Sequence, residues 1–179
     1  MAKKNNPLEF YETPKGLTTA LLQRLQVYGR VIEPCAGDHA ITDVLKNHGL
    51  EVLTCDIDPT KTVDYVMDSA VEDNWGLLLH ADWVVSNPPF SRALEILKNA
   101  YDHAEVGVAM LLRLSFLEPC EPRNKWLVQH PPQRIIVLPR VSFDGKGNDT
   151  VTCAWFIWYK KPNEAPPAPP IQVVLRDWI

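Results

Sequence analysis

Apolar residues recur along the chain in two rhythms. In 16–28 (GLTTALLQRLQVY), Leu17, Leu21, Leu25 and Tyr28 fall on one helical face, and Gly29 suits the stop. Ala40, Ile41, Val44 and Leu45 repeat that spacing over 40–48, ended by Gly49. Leu94, Leu97, Tyr101 and Ala104 do so over 91–104, with Ser91 available as a cap. Residues 70–79 read weakly as helix, and 121–129 as a short one. Between these lie short β-like runs at 31–36, 51–58, 64–68, 82–87, 106–114, 134–139 and 152–160. The run VGVAMLLRL (106–114) is apolar without interruption, as in a strand covered on both faces.

Strand and helix alternate, which predicts an α/β sheet with right-handed crossovers. The last two strands have no clear helix between them and predict an antiparallel pair joined by 140–150. Residues 162–170 (PNEAPPAPP) hold five prolines in nine positions and read as a stiff extended linker. The tail IQVVLRDWI is too apolar to float in water. It is expected to dock on the chain's own surface or on a second copy.

At 179 residues the chain suits one domain, and 46% hydrophobic with 22% charged residues is enough for a real core. A net charge of −4 gives no global field toward nucleic acid, so any such contact needs a local basic patch. Cys35, Cys55, Cys120 and Cys153 are scattered with no C-x-x-C. They read as small buried hydrophobes rather than metal ligands or a disulfide framework. The N-terminus lacks the apolar core of a signal peptide, and no run approaches the ~20 residues of a membrane span. A cytoplasmic protein is expected.

In open parallel sheets, ligands sit beyond the carboxyl ends of the strands. The predicted strands deliver there Glu33 to His39, then Asp56 and Asp58, then Asp68, then Ser86 to Phe90, then Arg113 to Phe116. Asp56 follows Gly37 by nineteen residues, where a carboxylate can accept from both hydroxyls of a ribose. The loop Gly37-Asp38-His39-Ala40 has one glycine and no phosphate-cradling pattern. A nucleoside cofactor without phosphates follows, and S-adenosylmethionine fits that description.

At the end of the fourth strand stand Asn87, Pro88, Pro89 and Phe90. Two prolines remove two N–H donors and stiffen the turn. What remains is rich in acceptors: the Asn87 amide oxygen and the Pro88 carbonyl can hold both hydrogens of an NH₂ group. Phe90 offers a face for a planar group. These features predict methyl transfer to a planar amine, with positioning carrying much of the catalysis.

N-P-P-F resembles the signature of amino-methyltransferases, chiefly those acting on N6 of adenine. EPCAGDHA is similar to the cofactor loop E-P-x-x-G-x-G of class I methyltransferases, and FYETPKGLTTALL resembles their N-terminal T-P motif. The order of the three matches the gamma arrangement of DNA adenine methyltransferases. AMLLRLSFLEP and AWFIWYK look like segments of small phage- or prophage-associated members. The resemblance covers roughly residues 8–160.

It implies a Rossmann-like fold of seven strands with an antiparallel edge hairpin and helices on both faces. The methyltransferase domain would span 1–161, and 162–179 would be the linker and tail. Asp56 would bind ribose and Asp68 the cofactor's adenine amine, with Ile57 and Ser69 beside them. Glu33, Pro34 and Gly37 would shape the methionine pocket, Thr13 and Pro14 would cover it, and Asn87 would border it. Asn87, Pro88, Pro89 and Phe90 would be catalytic, and DNA the substrate.

The sequence departs from the pattern in two ways. His39 stands where a second glycine is usual, and no target-recognition domain follows the catalytic fold. Arg92, Arg113, Arg123, Lys125, Arg140 and Lys146 fall near strand ends and form a candidate phosphate patch. Phe90, Arg113, Arg140, Phe143 and Lys146 are the substrate-side candidates. The same N-P-P pocket would also serve adenine in RNA or glutamine amides in protein, and a silent cofactor-binding partner subunit would keep the same fold.

Overall fold

The computed structural model describes residues 12–140 and 152–174. Its strands are β1 (Arg30–Glu33), β2 (Glu51–Asp56), β3 (Tyr65–Val66), β4 (Ala81–Ser86), β5 (Ala104–Arg113), β6 (Arg134–Val137), β7 (Cys153–Tyr159) and β8 (Ile171–Val173). The helices are α1 (Lys15–Leu22), α2 (Ala40–Asn47), α3 (Ala93–His103) and α4 (Arg123–Gln129). All eight strands join one sheet in the order β3-β2-β1-β4-β5-β7-β6-β8. From β3 to β5 the pairing is parallel. β7 runs antiparallel to both β5 and β6.

The sheet is covered on both faces, and the period-2 rhythm of the strands sorts side chains between two apolar layers. Val31, Trp83, Leu111, Trp155 and Ile157 join Leu17, Leu21, Ile41 and Leu45 of α1 and α2 in one layer. Ile32, Val84, Met110, Leu112, Phe156 and Trp158 join Ile96, Leu97 and Ala100 of α3 in the other. Two of the buried indole N–H groups find backbone acceptors: Trp155 Nε1 donates to the Leu17 carbonyl at 2.8 Å and Trp158 Nε1 to the His130 carbonyl at 2.9 Å.

Several elements differ from the sequence expectation. The sheet has eight strands, not seven. The eighth comes from the tail: Ile171, Gln172 and Val173 pair parallel with Ile135, Ile136 and Val137. The Val174 N–H donates to the Val137 carbonyl at 2.9 Å, and its side chain is buried in the core. The described part of the tail thus docks on its own sheet.

The helix read over 16–28 stops at Leu22. Leu25 still reaches the core through a turn closed by its N–H on the Leu21 carbonyl, whereas Tyr28 is 50% exposed. The strand at 64–68 shrinks to two residues, and 70–79 holds a 3₁₀ turn, Glu72–Leu77. Ser91 does not open the helix; a 3₁₀ turn over Phe90–Arg92 intervenes, and no side chain caps α3. Cys55 and Cys153 are buried as expected and Cys35 is half-buried, but Cys120 is exposed. Among the described residues, no helix is long and apolar enough to cross a membrane.

Gly107 marks where the sheet admits no side chain. A Cβ there would lie 2.5 Å from the Trp158 carbonyl oxygen and 2.8 Å from Trp83 Cζ3. The backbone of β7 and a buried indole cannot both retreat. Gly107→Ala is expected to destabilise the chain by about 1–3 kcal/mol, the usual cost of overpacking. Urea unfolding of the two proteins measures it, and an unchanged midpoint would contradict this packing.

Candidate active site

β1 is flanked by β2 on one side and β4 on the other, both parallel to it. The chain winds outward from β1 to β3, then returns to β4 and winds the other way. Strand order reverses between β1 and β4, so their carboxyl ends diverge and leave a crevice. The loop Pro34–His39 and the turn Asn87–Phe90 leave the sheet at that place.

The loop after β1 is shaped by backbone geometry and tied by Asp56. Gly37 has φ 50° and His39 φ 66°, both left-handed. His39 therefore adopts a conformation that favours glycine, at a strain that non-glycine residues rarely carry. Its ring turns to the loop after β2, where Nε2 lies 2.7 Å from the Thr62 carbonyl oxygen. A carbonyl only accepts, so Nε2 carries the hydrogen. Lys61 Nζ donates to Asp38 Oδ1 at 2.6 Å, a second strap between the two loops. The Asp56 carboxylate accepts from the Gly37 N–H at 2.8 Å and from the Asp58 N–H at 2.9 Å. Ile57, next in the chain, is 45% exposed and offers an apolar face beside it.

Asp68 and Ser69 follow β3. Ser69 is buried and donates to the Pro34 carbonyl at 2.6 Å, while its own carbonyl accepts from Trp75 Nε1 and Asn99 Nδ2. Its hydroxyl thus joins the third strand end to the β1 loop. The Asp68 carboxylate accepts from the Ala70 N–H at 3.0 Å and pairs with Arg92 at 3.1 Å.

The turn after β4 is tied to the N-terminal segment. Asn87 Nδ2 donates to Thr13 Oγ1 at 3.0 Å, across 74 positions of sequence. This bond sets the amide nitrogen toward Thr13. Thr13 is buried, and the carbonyl of Pro14 accepts the Leu17 N–H at the start of α1. Pro88 is buried; the Pro89 carbonyl accepts the Arg92 N–H at 3.0 Å and closes the turn. Phe90 is half-buried against the apolar layer of α1 and α2, and the Arg113 guanidinium lies 4.2 Å from its ring centroid. Such a cation–π pair is worth about 0.5–1 kcal/mol at a partly exposed site.

The expected basic patch is largely engaged within the chain. Arg92 pairs with Asp68 and Arg113 covers Phe90. Arg123 donates to the carbonyls of Ser115 and Glu118, and Lys125 pairs with Glu121 at 3.0 Å. Arg140 is exposed, and Phe143 and Lys146 lie outside the described residues. The Asp68–Arg92 and Asn87–Thr13 contacts escape a reading of the sequence, because each joins residues from separate segments with no shared spacing.

Glu33 ends β1 fully buried. Burial pushes its carboxyl up to about 8; the Thr42 hydroxyl, donating to Oε2, pulls it back, and the charges of Asp56 and Asp43 add to the rise. Burial also pushes the Cys35 thiol up, which keeps it protonated and unreactive.

These strand ends belong to a Rossmann-like α/β fold of the class I methyltransferase type, a mostly parallel sheet with an antiparallel edge. A protein of Listeria monocytogenes assigned as a class I S-adenosylmethionine-dependent methyltransferase superposes with a TM-score of 0.63. It is 13% identical, over 97% of this chain and 67% of that one. A modification subunit assigned to a type I restriction enzyme of Vibrio vulnificus gives 0.58 at 9% identity, over 88% of this chain and 46% of that one. An S-adenosylmethionine-dependent methyltransferase of Archaeoglobus fulgidus gives 0.56 at 13%, over 82% and 92%. The chain spans two thirds of the first structure and under half of the second. No family model and no curated protein matches the sequence.

The raised carboxyl of Glu33 has a consequence for stability. Between 4.5 and about 8 the folded chain holds a proton that the unfolded chain has released, so stability falls as pH rises through that window. Glu33→Gln removes the titration. The urea midpoint of the natural protein is expected to drop from pH 5 to pH 8 more steeply than that of the variant; parallel profiles would contradict the assignment.

Proposed function

We propose that this protein is an S-adenosylmethionine-dependent methyltransferase acting on the exocyclic N6 amine of adenine, in DNA. The observation that carries the reading is the Asn87-Pro88-Pro89-Phe90 turn at the switch point, with its amide tied to Thr13 and the Asp56-held loop next to it. The structural likenesses support the fold; the chemistry of the crevice supports the substrate.

The residues of the crevice fit a nucleoside cofactor. Asp56 and Asp68 supply acceptors for hydroxyl and amine hydrogens, and Ile57 an apolar face. Lys61, the cation at the loop, is held by Asp38, which disfavours a phosphate there. Left-handed Gly37 and His39 turn the loop while the His39 ring points to Thr62, so the missing second glycine does not close the crevice. Asp56 and Ile57 would hold the ribose side, Asp68 and Ser69 the adenine side. Glu33, Pro34, Gly37, Thr13 and Pro14 would enclose the methionine end, with Asn87 at its border. When bound, S-adenosylmethionine supplies an electrophilic methyl group on a sulfonium.

The chain's own part is to hold the amine. The Asn87 amide oxygen and the Pro88 carbonyl accept its two hydrogens and draw the nitrogen lone pair out of the ring. Positive charge grows on that nitrogen as the methyl arrives, so fixed acceptors stabilise the transition state more than the ground state. Neither acceptor is a base; the surplus proton leaves to water after transfer. Phe90 holds the plane of the base, worth ~1–3 kcal/mol. That exceeds the cation–π contact with Arg113, so a base can take the ring from the guanidinium. In a duplex the adenine must first be flipped out, at a few kcal/mol.

Methyl transfer from radiolabelled S-adenosylmethionine to DNA, RNA and protein in parallel tests the reading, with digestion of the DNA to reveal N6-methyladenine. Asn87→Ala is expected to lower the rate about 10²–10³-fold while cofactor affinity stays nearly unchanged. Label in RNA or protein alone would reassign the substrate. Near-normal turnover by the variant would end the amine-holding role.

A further inference from the structure

Phe90 and Arg113 reach each other from different strands. Phe90 opens the 3₁₀ turn that follows Asn87-Pro88-Pro89, and Arg113 is the last residue of β5. The guanidinium lies 4.2 Å from the ring centroid. A guanidinium is planar, delocalised and weakly hydrated, which is why it stacks on aromatic faces. The ring leans on the apolar layer and carries the guanidinium on its face. A flat base and Arg113 cannot occupy that face together.

The backbone at Arg113 has little room to yield. Arg113 stands opposite Cys153 in the ladder, and the next N–H, of Leu114, donates to the Thr152 carbonyl at 3.0 Å. Uncovering Phe90 therefore means swinging the side chain about a fixed Cα. Arg113 is half-buried, so its long stem can turn outward without unpacking the strand.

We propose that Arg113 is a substrate-displaced gate. It covers Phe90 until a base stacks there, and then pairs with a phosphate flanking that base. The inference rests on the nucleic-acid reading above. A displaced guanidinium stays charged, and its fork matches a phosphate. A polynucleotide brings such an anion beside every base, whereas a free nucleobase or a protein amide brings none. Covering the ring weakens every substrate, and the phosphate contact restores affinity to polymers alone. Arg113 thus selects polymer over monomer at the site where chemistry occurs.

The test compares the natural chain with Arg113→Ala and Arg113→Lys, with S-adenosylhomocysteine filling the cofactor pocket. Two probes are used: a fluorescein-labelled single-stranded oligodeoxynucleotide containing adenine, read by anisotropy across salt concentrations, and 9-methyladenine, read by NMR titration. In Arg113→Ala the slope of log affinity against log salt should shrink by about 0.7, one single-strand phosphate contact. The same variant should bind 9-methyladenine about 2- to 5-fold more tightly, because the guanidinium no longer competes for that face. Arg113→Lys should keep the slope. These opposite shifts separate a gate from a merely structural arginine, whose loss would weaken both probes. An unchanged slope, or weaker binding of 9-methyladenine, overturns the gate while leaving oligonucleotide binding by the natural chain, and so the functional reading, intact. Failure of the natural chain to bind the oligonucleotide at all overturns both.

Discussion

The Asp56 carboxylate is the contact on which the site depends. One oxygen holds the Gly37 N–H at the end of the β1 loop and the other holds the Asp58 N–H after β2. A charged acceptor bound to backbone donors is among the stronger hydrogen bonds a protein makes. It ties two loops that leave adjacent parallel strands to one carboxylate at the crevice. The straps His39 to Thr62 and Lys61 to Asp38 reinforce the same joint from farther out.

Around that joint the sheet brings together segments far apart in sequence. Reversal of strand order between β1 and β4 opens the crevice, and the end of each parallel strand contributes one kind of group. Asn87 is linked to Thr13, Ser69 to Pro34, and Asp68 to Arg92. Each of these contacts ties the end of one strand to a different segment of the chain. For the proposed function such ties matter, because an amine acceptor gains from being fixed before charge develops.

Most of the frame is legible in the sequence because it rests on periodicity. The parallel strands and the three longer helices follow from apolar spacing, with Gly49 marking the end of α2, and the carboxyl-end rule places Glu33, Gly37, Asp56, Asp68 and Asn87 at one edge. What is not legible depends on partners. β8 is three residues after a proline stretch, and only its pairing with β6 makes it a strand. The end of α1 is obscure for a related reason: Leu25 keeps the apolar rhythm through a turn that is no longer helix. Arg113 reads as a phosphate ligand in sequence, whereas in the fold it lies on the face of Phe90. Spacing shows which residues reach an edge, not which of them touch there.

Calorimetric titration of S-adenosylmethionine into the natural chain and Asp56→Ala tests whether the Asp56-held crevice binds a nucleoside cofactor. One site per chain is expected in the natural protein. In the variant the affinity should be about 10- to 100-fold weaker, the loss expected for hydrogen bonds to a charged group. Absence of binding by the natural chain, or equal affinity in both, would contradict it.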